Sequence, residues 1–301
     1  GTPLREGGCG ATAYGEAIAV YLSFALDKMA DLGNSLCGWE PIAQCPRHLF
    51  GRQTVPMIWD FAEANPFSGS SGSWTVFIDG ISKAFSKSFS GCGELLEGHA
   101  QMADAKQQDI SKSKVVSTDP PYYDNVGYAD LSDFFYVWSR RSLKEVFPYL
   151  YSTLATPKNE ELVATPARHG GTKEAEIFFL SGMRSAIHQL SECAHTAFPV
   201  SIYYAFKQSD TNESGTSSTG WETFLEAVIG ANFVITGTWP VRTENSSRMR
   251  GQNSNALASS IVLICQKRGL TEEHISRRDF QRQLREEMPE ALETMIGGTT
   301  G

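Results

Sequence analysis

The chain predicts an α/β fold, and three observations carry that reading. In its second half, amphipathic segments with apolar residues every three or four positions alternate with short runs rich in β-branched and aromatic residues. One run, Ile261-Val262-Leu263-Ile264, is continuously apolar, as expected of an interior strand. Another, Val115-Val116-Ser117-Thr118, stops at Asp119-Pro120-Pro121-Tyr122, and strand ends of this kind are where parallel α/β sheets hold their ligand crevices. With 301 residues, 41% hydrophobic and 20% charged, there is enough chain for one large domain or two ordinary ones.

Residues 1–10 are glycine-rich but follow no strand, so they make no phosphate or cofactor cradle. Over 13–32, Ile18, Tyr21, Leu22, Ala25, Met29 and Leu32 recur at helical spacing, and Gly33-Asn34 supplies the stop. Between 35 and 72, Pro41, Pro46, Pro56 and Pro66 alternate with Trp39, Phe50, Trp59 and Phe67, which predicts a packed loop or short helices covering another part of the molecule. Residues 65–72 are its most loop-like piece. Residues 73–89 read as a helix through Trp74, Phe77, Ile81 and Phe85, and polar residues 106–113 lead into a strand over 114–118.

Beyond the motif, Leu131, Phe134, Phe135, Trp138, Leu143 and Phe147 give residues 130–147 an aromatic face of the kind that is buried. Residues 156–172 read as a long loop and a candidate substrate-facing lid. A helix over 173–197, ended by Pro199, precedes a buried strand over 200–206. A polar loop over 209–220, a helix over 221–230 and strands over 233–239 and 257–266 follow. The last two strands have no helix between them and are expected to be antiparallel. From Gly269 the tail is charged and helix-forming. The organisation is therefore an amino-terminal helical and irregular region (1–90), a central α/β region (91–268) and a charged helical tail (269–301) that looks cut off.

A net charge of −8 and a pI near 5.3 give no overall basic character, so any nucleic-acid surface has to be local. Arg140, Arg141 and Lys144 form one basic cluster, and Arg242, Arg248 and Arg250 another. No apolar run reaches membrane-spanning length and the first residues have no signal-peptide pattern, so a cytoplasmic protein is expected. Six cysteines, Cys9, Cys37, Cys45, Cys92, Cys193 and Cys265, include no Cys-x-x-Cys pair. Cys37, Cys45 and His48 come nearest to ligand spacing, but the second pair of a tetrahedral site is missing, and reduced thiols without a metal are expected.

The motif has a plain reading as a proline-rich turn with a capping Asp. Such a tetrapeptide arises by chance in a chain of this length at odds on the order of one in a thousand, however. Pro121 biases Pro120 toward an extended backbone, and neither proline donates a hydrogen bond, so the Pro120 carbonyl is a rigid acceptor beside the Asp119 carboxylate.

Asp119-Pro120-Pro121-Tyr122 resembles the Asp-Pro-Pro-Tyr motif of the amino-group DNA methyltransferases, which methylate an exocyclic base nitrogen using S-adenosylmethionine. The stretch DPPYYDNVGYADLSDFFYVWSRRSL over 119–143 is similar to the large bacterial and archaeal adenine-specific DNA methylases that carry a zinc ribbon. So are WDFAEANPF over 59–67, ELVATPARHGG over 161–171 and GWETFLEAVIGANFVITGTWPVRTE over 220–244. The family's Phe-x-Gly-x-Gly cofactor loop and cysteine ribbon have no counterpart in this chain.

The resemblance implies a Rossmann-like S-adenosylmethionine-dependent methyltransferase sheet, partial because the first strand and Gly-rich loop are missing, with helical additions. It implies catalytic roles for Asp119, Pro120, Pro121 and Tyr122, with Asp119 and Pro120 accepting from the target amine and Tyr122 stacking on an extruded base. Asp104 and Ala105 would serve the cofactor, and Tyr123, Trp239, Arg140, Arg141 and Arg242 the nucleic acid. DNA is the implied partner, along with an upstream segment of the same full-length chain. Methylation of N4 of cytosine, an RNA adenine substrate, and a noncatalytic nucleic-acid-binding piece lacking the cofactor loop remain alternatives.

Overall fold

The computed structural model of the chain describes residues 1–51, 54–90, 98–123, 126–205, 219–242, 259–269 and 275–297. The amino-terminal region is built on α1 (Ala11–Leu32), which ends where the Gly33 N–H closes onto the Met29 carbonyl at 2.7 Å. A two-stranded hairpin follows, β1 (Trp39–Glu40) with β2 (Cys45–Pro46). The hairpin is tied back to α1 at Asp31, whose carbonyl accepts from the Leu49 N–H at 2.9 Å and the Cys37 thiol at 3.2 Å.

The helix α2 (Trp74–Phe89) starts as its sequence predicts. Ser73 caps it, its hydroxyl accepting from the Val76 N–H at 3.4 Å, and Phe77 buries against Ala25 and Leu32 of α1. The aromatic and proline-rich segment ahead of α2 follows expectation in part. Cys37 and Leu49 are buried and Phe50 packs on Phe134 and Phe135, whereas Trp59 and Phe67 are almost fully exposed. Around Phe67 the backbone is held by short Asx and Ser turns, the Asn65 carboxamide accepting from the Phe67 N–H.

The expected strand over 114–118 contracts to β3 (Ser117–Thr118) in regular pairing, although the carbonyls of Lys114 and Val116 also accept backbone bonds from His195 and Ser201. The prolines after Asp119 offer no N–H to extend it. Next comes α3 (Tyr128–Leu143), whose predicted aromatic face is only half-buried. Phe134 and Phe135 meet Phe50 at ring-centroid distances of 5.6 and 5.4 Å, while Trp138 is exposed. The helix lies against α1, where the Ser139 hydroxyl donates to the Asp27 carboxylate at 3.3 Å. Burial there holds the Asp27 carboxyl above its ordinary range.

The predicted loop over 156–172 contains a single turn of helix, α4 (Pro166–His169), opened by proline at its first position and closed by Gly170 in the left-handed region. The long helix α5 (Thr172–Cys193) stops before 197, because Ala194 adopts an extended ψ of 149°. After it come β4 (Val200–Ala205), α6 (Thr219–Gly230), β5 (Phe233–Arg242), β6 (Ser259–Lys267) and α7 (Arg277–Gly297). Phe206, the loop over 209–218, residues 243–258 and the start of the tail at 270–274 lie outside the described residues.

The sheet order is β3-β4-β6-β5. β3 and β4 are parallel, and β6 is antiparallel to both β4 and β5, as expected for the last pair. β5 outruns its predicted end by three residues, so Pro240 sits inside a strand. That is tolerated because β5 is an edge, where a missing N–H breaks no ladder on its outer side.

The main core lies between this sheet and helices α5 and α6. Phe179, Met183 and Ile187 of α5, Phe224 and Val228 of α6, and Val200, Ile202, Phe233 and Leu263 of the sheet are all buried in it. The protein is thus a mixed α/β structure with a mixed four-stranded sheet. Among the described residues no helix is long and apolar enough to cross a membrane.

Candidate functional site

At the carboxyl end of β3 the chain turns through Asp119, Pro120, Pro121 and Tyr122, and these four line a cleft of about 280 Å³ together with Val126, Tyr128 and Val163. The geometry follows from the sequence. β3 ends where the prolines withhold N–H groups, and the extended backbone they impose leaves the Asp119 side chain exposed. The Tyr122 hydroxyl donates to Asp119 Oδ1 at 3.1 Å. Among the described residues nothing donates to Asp119 Oδ2 or to the Pro120 carbonyl. Two acceptors without a donor among the described residues therefore stand on consecutive residues at one cleft.

Aromatic packing fixes the motif from behind. Tyr122 lies edge-on to Tyr204 at 5.4 Å, and Tyr204 stacks on Phe224 at 4.0 Å. The Tyr204 hydroxyl meets the Tyr123 backbone, and burial pushes its pKa up to about 12, so the phenol stays neutral at physiological pH. Tyr123 packs edge-on against Phe179 at 5.3 Å and belongs to the margin of the main core. It does not line the cleft.

The opposite wall comes from the segment before α4. The Ala164 N–H donates to the Tyr123 carbonyl at 2.9 Å, setting Val163 into the cleft. Glu161 reaches the amino end of α3, where its Oε1 accepts from the Ala129 N–H at 2.8 Å and satisfies a donor that the helix cannot. Arg168 closes the arrangement, donating from Nη1 to Glu161 Oε2 at 2.6 Å and from Nη2 to Asp130 Oδ2 at 2.5 Å. These contacts, Glu161 first, raise the guanidinium pKa further. Gly127 is pressed to this clamp, since a Cβ there would stand 3.2 Å from Asp130 Oδ2. The segment read as a candidate lid is thus a wall fastened to both the motif and α3.

The other candidate residues are dispersed. Asp104 opens a turn in which its Oδ1 accepts from the Lys106 N–H at 2.9 Å, with its carboxylate 3.6 Å from the Lys106 ammonium. The turn continues to Gln108, whose carbonyl accepts from Gln189 near the end of α5, on the amino-terminal side of the sheet. Asp104 and Ala105 are therefore not brought to the cleft. Trp239 is exposed on the edge strand β5. Pairing puts Thr118, Ile202, Leu263 and Thr238 in one row, so Trp239 stands level with Asp119 but about 14 Å away across three strand spacings. Arg242 closes β5 opposite Ser259.

Arg140 and Arg141 lie at the far end of α3 and line a separate cavity. Cys37 is buried, and among the described residues no three His, Cys, Asp or Glu side chains are grouped to hold a metal. Cys92 lies outside the described residues.

Glu161, Val163, Arg168 and Tyr204 are the site residues that sequence reasoning did not assign. The signal for three of them was present in the run ELVATPARHGG, whose buried Val-Ala pair is flanked by an acid and a base. Comparison of the chain with protein-family models, with curated proteins and with solved structures finds no match in any of the three.

Proposed function

We propose that the Asp119 cleft holds the exocyclic amine of a nucleobase, and that the chain is a DNA methyltransferase acting on N6 of adenine with S-adenosylmethionine as donor. The observation that carries this reading is a pair of acceptors, Asp119 Oδ2 and the Pro120 carbonyl, that no described residue engages, at the end of β3 beside Tyr122. An aryl amine is a poor nucleophile because its lone pair is delocalised into the ring. Two acceptors on its two N–H bonds draw it toward tetrahedral geometry and free the lone pair for attack. This is catalysis by positioning and electrostatics. Tyr122 offers an aromatic surface for a base that has left the duplex.

The sheet is compatible with a Rossmann-like methyltransferase. Parallel strands β3 and β4 are followed by an antiparallel β6 inserted beside β5, in line with the resemblance.

The cofactor fits less well. Ligand sites of drug size occupy roughly 300–1,000 Å³, so a cleft of about 280 Å³ suits a base alone. Asp104 and Ala105 do not line that cleft. The alternative reading is a base-handling part that does not bind S-adenosylmethionine by itself. Transfer of labelled methyl groups to adenine-containing DNA tests the first reading, and calorimetric titration with S-adenosylmethionine separates it from the second.

A further inference from the structure

The carboxyl end of α3 borders a second cavity, about 470 Å³, lined by three cations, Arg140, Arg141 and Lys144, and two carboxylates, Glu16 and Glu145, with Ser142 and Val146. Arg140 is oriented by its Nε, which donates to the Thr153 carbonyl at 2.9 Å. Among the described residues neither Arg141 nor Lys144 forms an ion pair, and both are exposed. The Glu16 carboxylate is already engaged, accepting from the Leu4 N–H at 2.6 Å. Arg5, which is paired with Glu6 at 3.6 Å, donates from its Nη1 to the Glu145 carbonyl at 2.9 Å. The helix dipole explains why basic residues end α3, but not why two remain unpaired around one cavity in a chain of net charge −8.

One helix connects this cavity to the Asp119 cleft, since Tyr128 lines the cleft and Arg140 and Arg141 line the cavity. At 1.5 Å of rise per residue, Arg140 to Lys144 stand about 18–24 Å from Tyr128. A strand of duplex DNA covers that distance in about five to seven nucleotides, at 3.4 Å each. We propose that Arg141 and Lys144, with Arg140, form a phosphodiester site that grips the DNA backbone about five to seven nucleotides from the base held at Asp119. The distance follows from the reading of the cleft given above. The anion site itself rests on the cavity alone.

The test uses the full chain and a duplex of about 20 base pairs with one mismatched adenine, which costs least to extrude. Binding by fluorescence anisotropy across a range of salt should weaken about tenfold in the double variant Arg141→Ala/Lys144→Ala. The slope of log K against log salt should become shallower by about 2, near 0.9 per lost phosphate contact. Arg184→Ala, which removes an exposed cation paired with Glu226, should change neither. Circular dichroism verifies that the variants are folded. Ethylating single phosphates should interfere at the predicted separation in the wild type and not in the double variant.

An unchanged slope, or an equal loss in Arg184→Ala, overturns the site. Interference at other separations overturns the spacing. Absence of methyl transfer by the wild type would remove the methyltransferase reading, while the slope comparison would still decide the phosphate site.

Discussion

The Tyr122 hydroxyl donates to Asp119 Oδ1 at 3.1 Å, so a side chain that lines the cleft also orients the carboxylate within it. This divides the labour between the two oxygens of Asp119: Oδ1 is held by the protein and Oδ2 faces the ligand. Tyr122→Phe keeps the ring and removes the hydroxyl. It should lower kcat for methyl transfer by about tenfold, as expected for loss of one orienting hydrogen bond, with little change in KM for DNA. Tyr122→Ala, which also removes the stacking surface, should raise KM. An unaltered kcat in Tyr122→Phe would show that Asp119 needs no such orientation.

The Arg168 clamp should be worth more to stability than any surface ion pair, because both Arg168 and Glu161 are largely buried, at 14% and 16% side-chain exposure. Arg168→Ala leaves Glu161 with an uncompensated charge next to the amino end of α3 and should destabilise the fold by about 2–4 kcal/mol in urea unfolding. Arg168→Lys should recover little, since an ammonium cannot bridge Glu161 and Asp130 as a guanidinium fork does. A loss below about 0.5 kcal/mol in both variants would mean that the wall stands without its clamp.

Tyr123 should report on stability and not on substrate. Its ring packs on Phe179 beside the core, and its carbonyl holds Ala164. Tyr123→Ala is expected to cost about 3 kcal/mol, read as a lower urea midpoint. Wild-type stability with a raised KM for DNA would reassign Tyr123 to the substrate.

Alkaline pH should weaken the fold. Burial pushes Tyr204 up to about 12 and the Cys265 thiol up to about 11. Both folded pKa values exceed the unfolded ones, so the native state holds these protons longer. The corresponding stability is fully present below about pH 9 and is lost as pH rises through about 9 to 12. Each group contributes at most about 2–3 kcal/mol by the linkage between pKa and free energy. Tyr204→Phe and Cys265→Ala should each flatten the decline of urea midpoint with pH, and an identical decline in both variants would contradict this.

Local signals made much of the structure legible. The helices α1, α2 and α6, the strands β4 and β6, and the antiparallel closing pair all follow from periodicity and from the short connection. The position of Asp119 followed from a β-branched run broken by two prolines. What depends on distant contacts was not legible. The Arg168 clamp reaches Asp130, 38 residues away, and nothing in the spacing of those two announces the pairing, although the acid and base of Glu161 and Arg168 stand in one run. Asp104 shows the converse, since its place in the chain suited a cofactor role but its side chain closes a turn with Lys106 and does not line the cleft. Aromatic density misled at Trp59 and Phe67, which local turns support without burial.

The most direct test of the account is transfer of labelled methyl groups from S-adenosylmethionine to adenine in duplex DNA, comparing the wild type with Asp119→Ala. Asp119 is an exposed residue at a strand end, so its replacement should leave unfolding unchanged within about 0.5 kcal/mol. The account predicts methyl transfer to N6 of adenine by the wild type and a loss of about 10²–10³-fold or more in the variant, the scale for removing a positioned polar group from a reacting centre. Equal transfer by both proteins would contradict it.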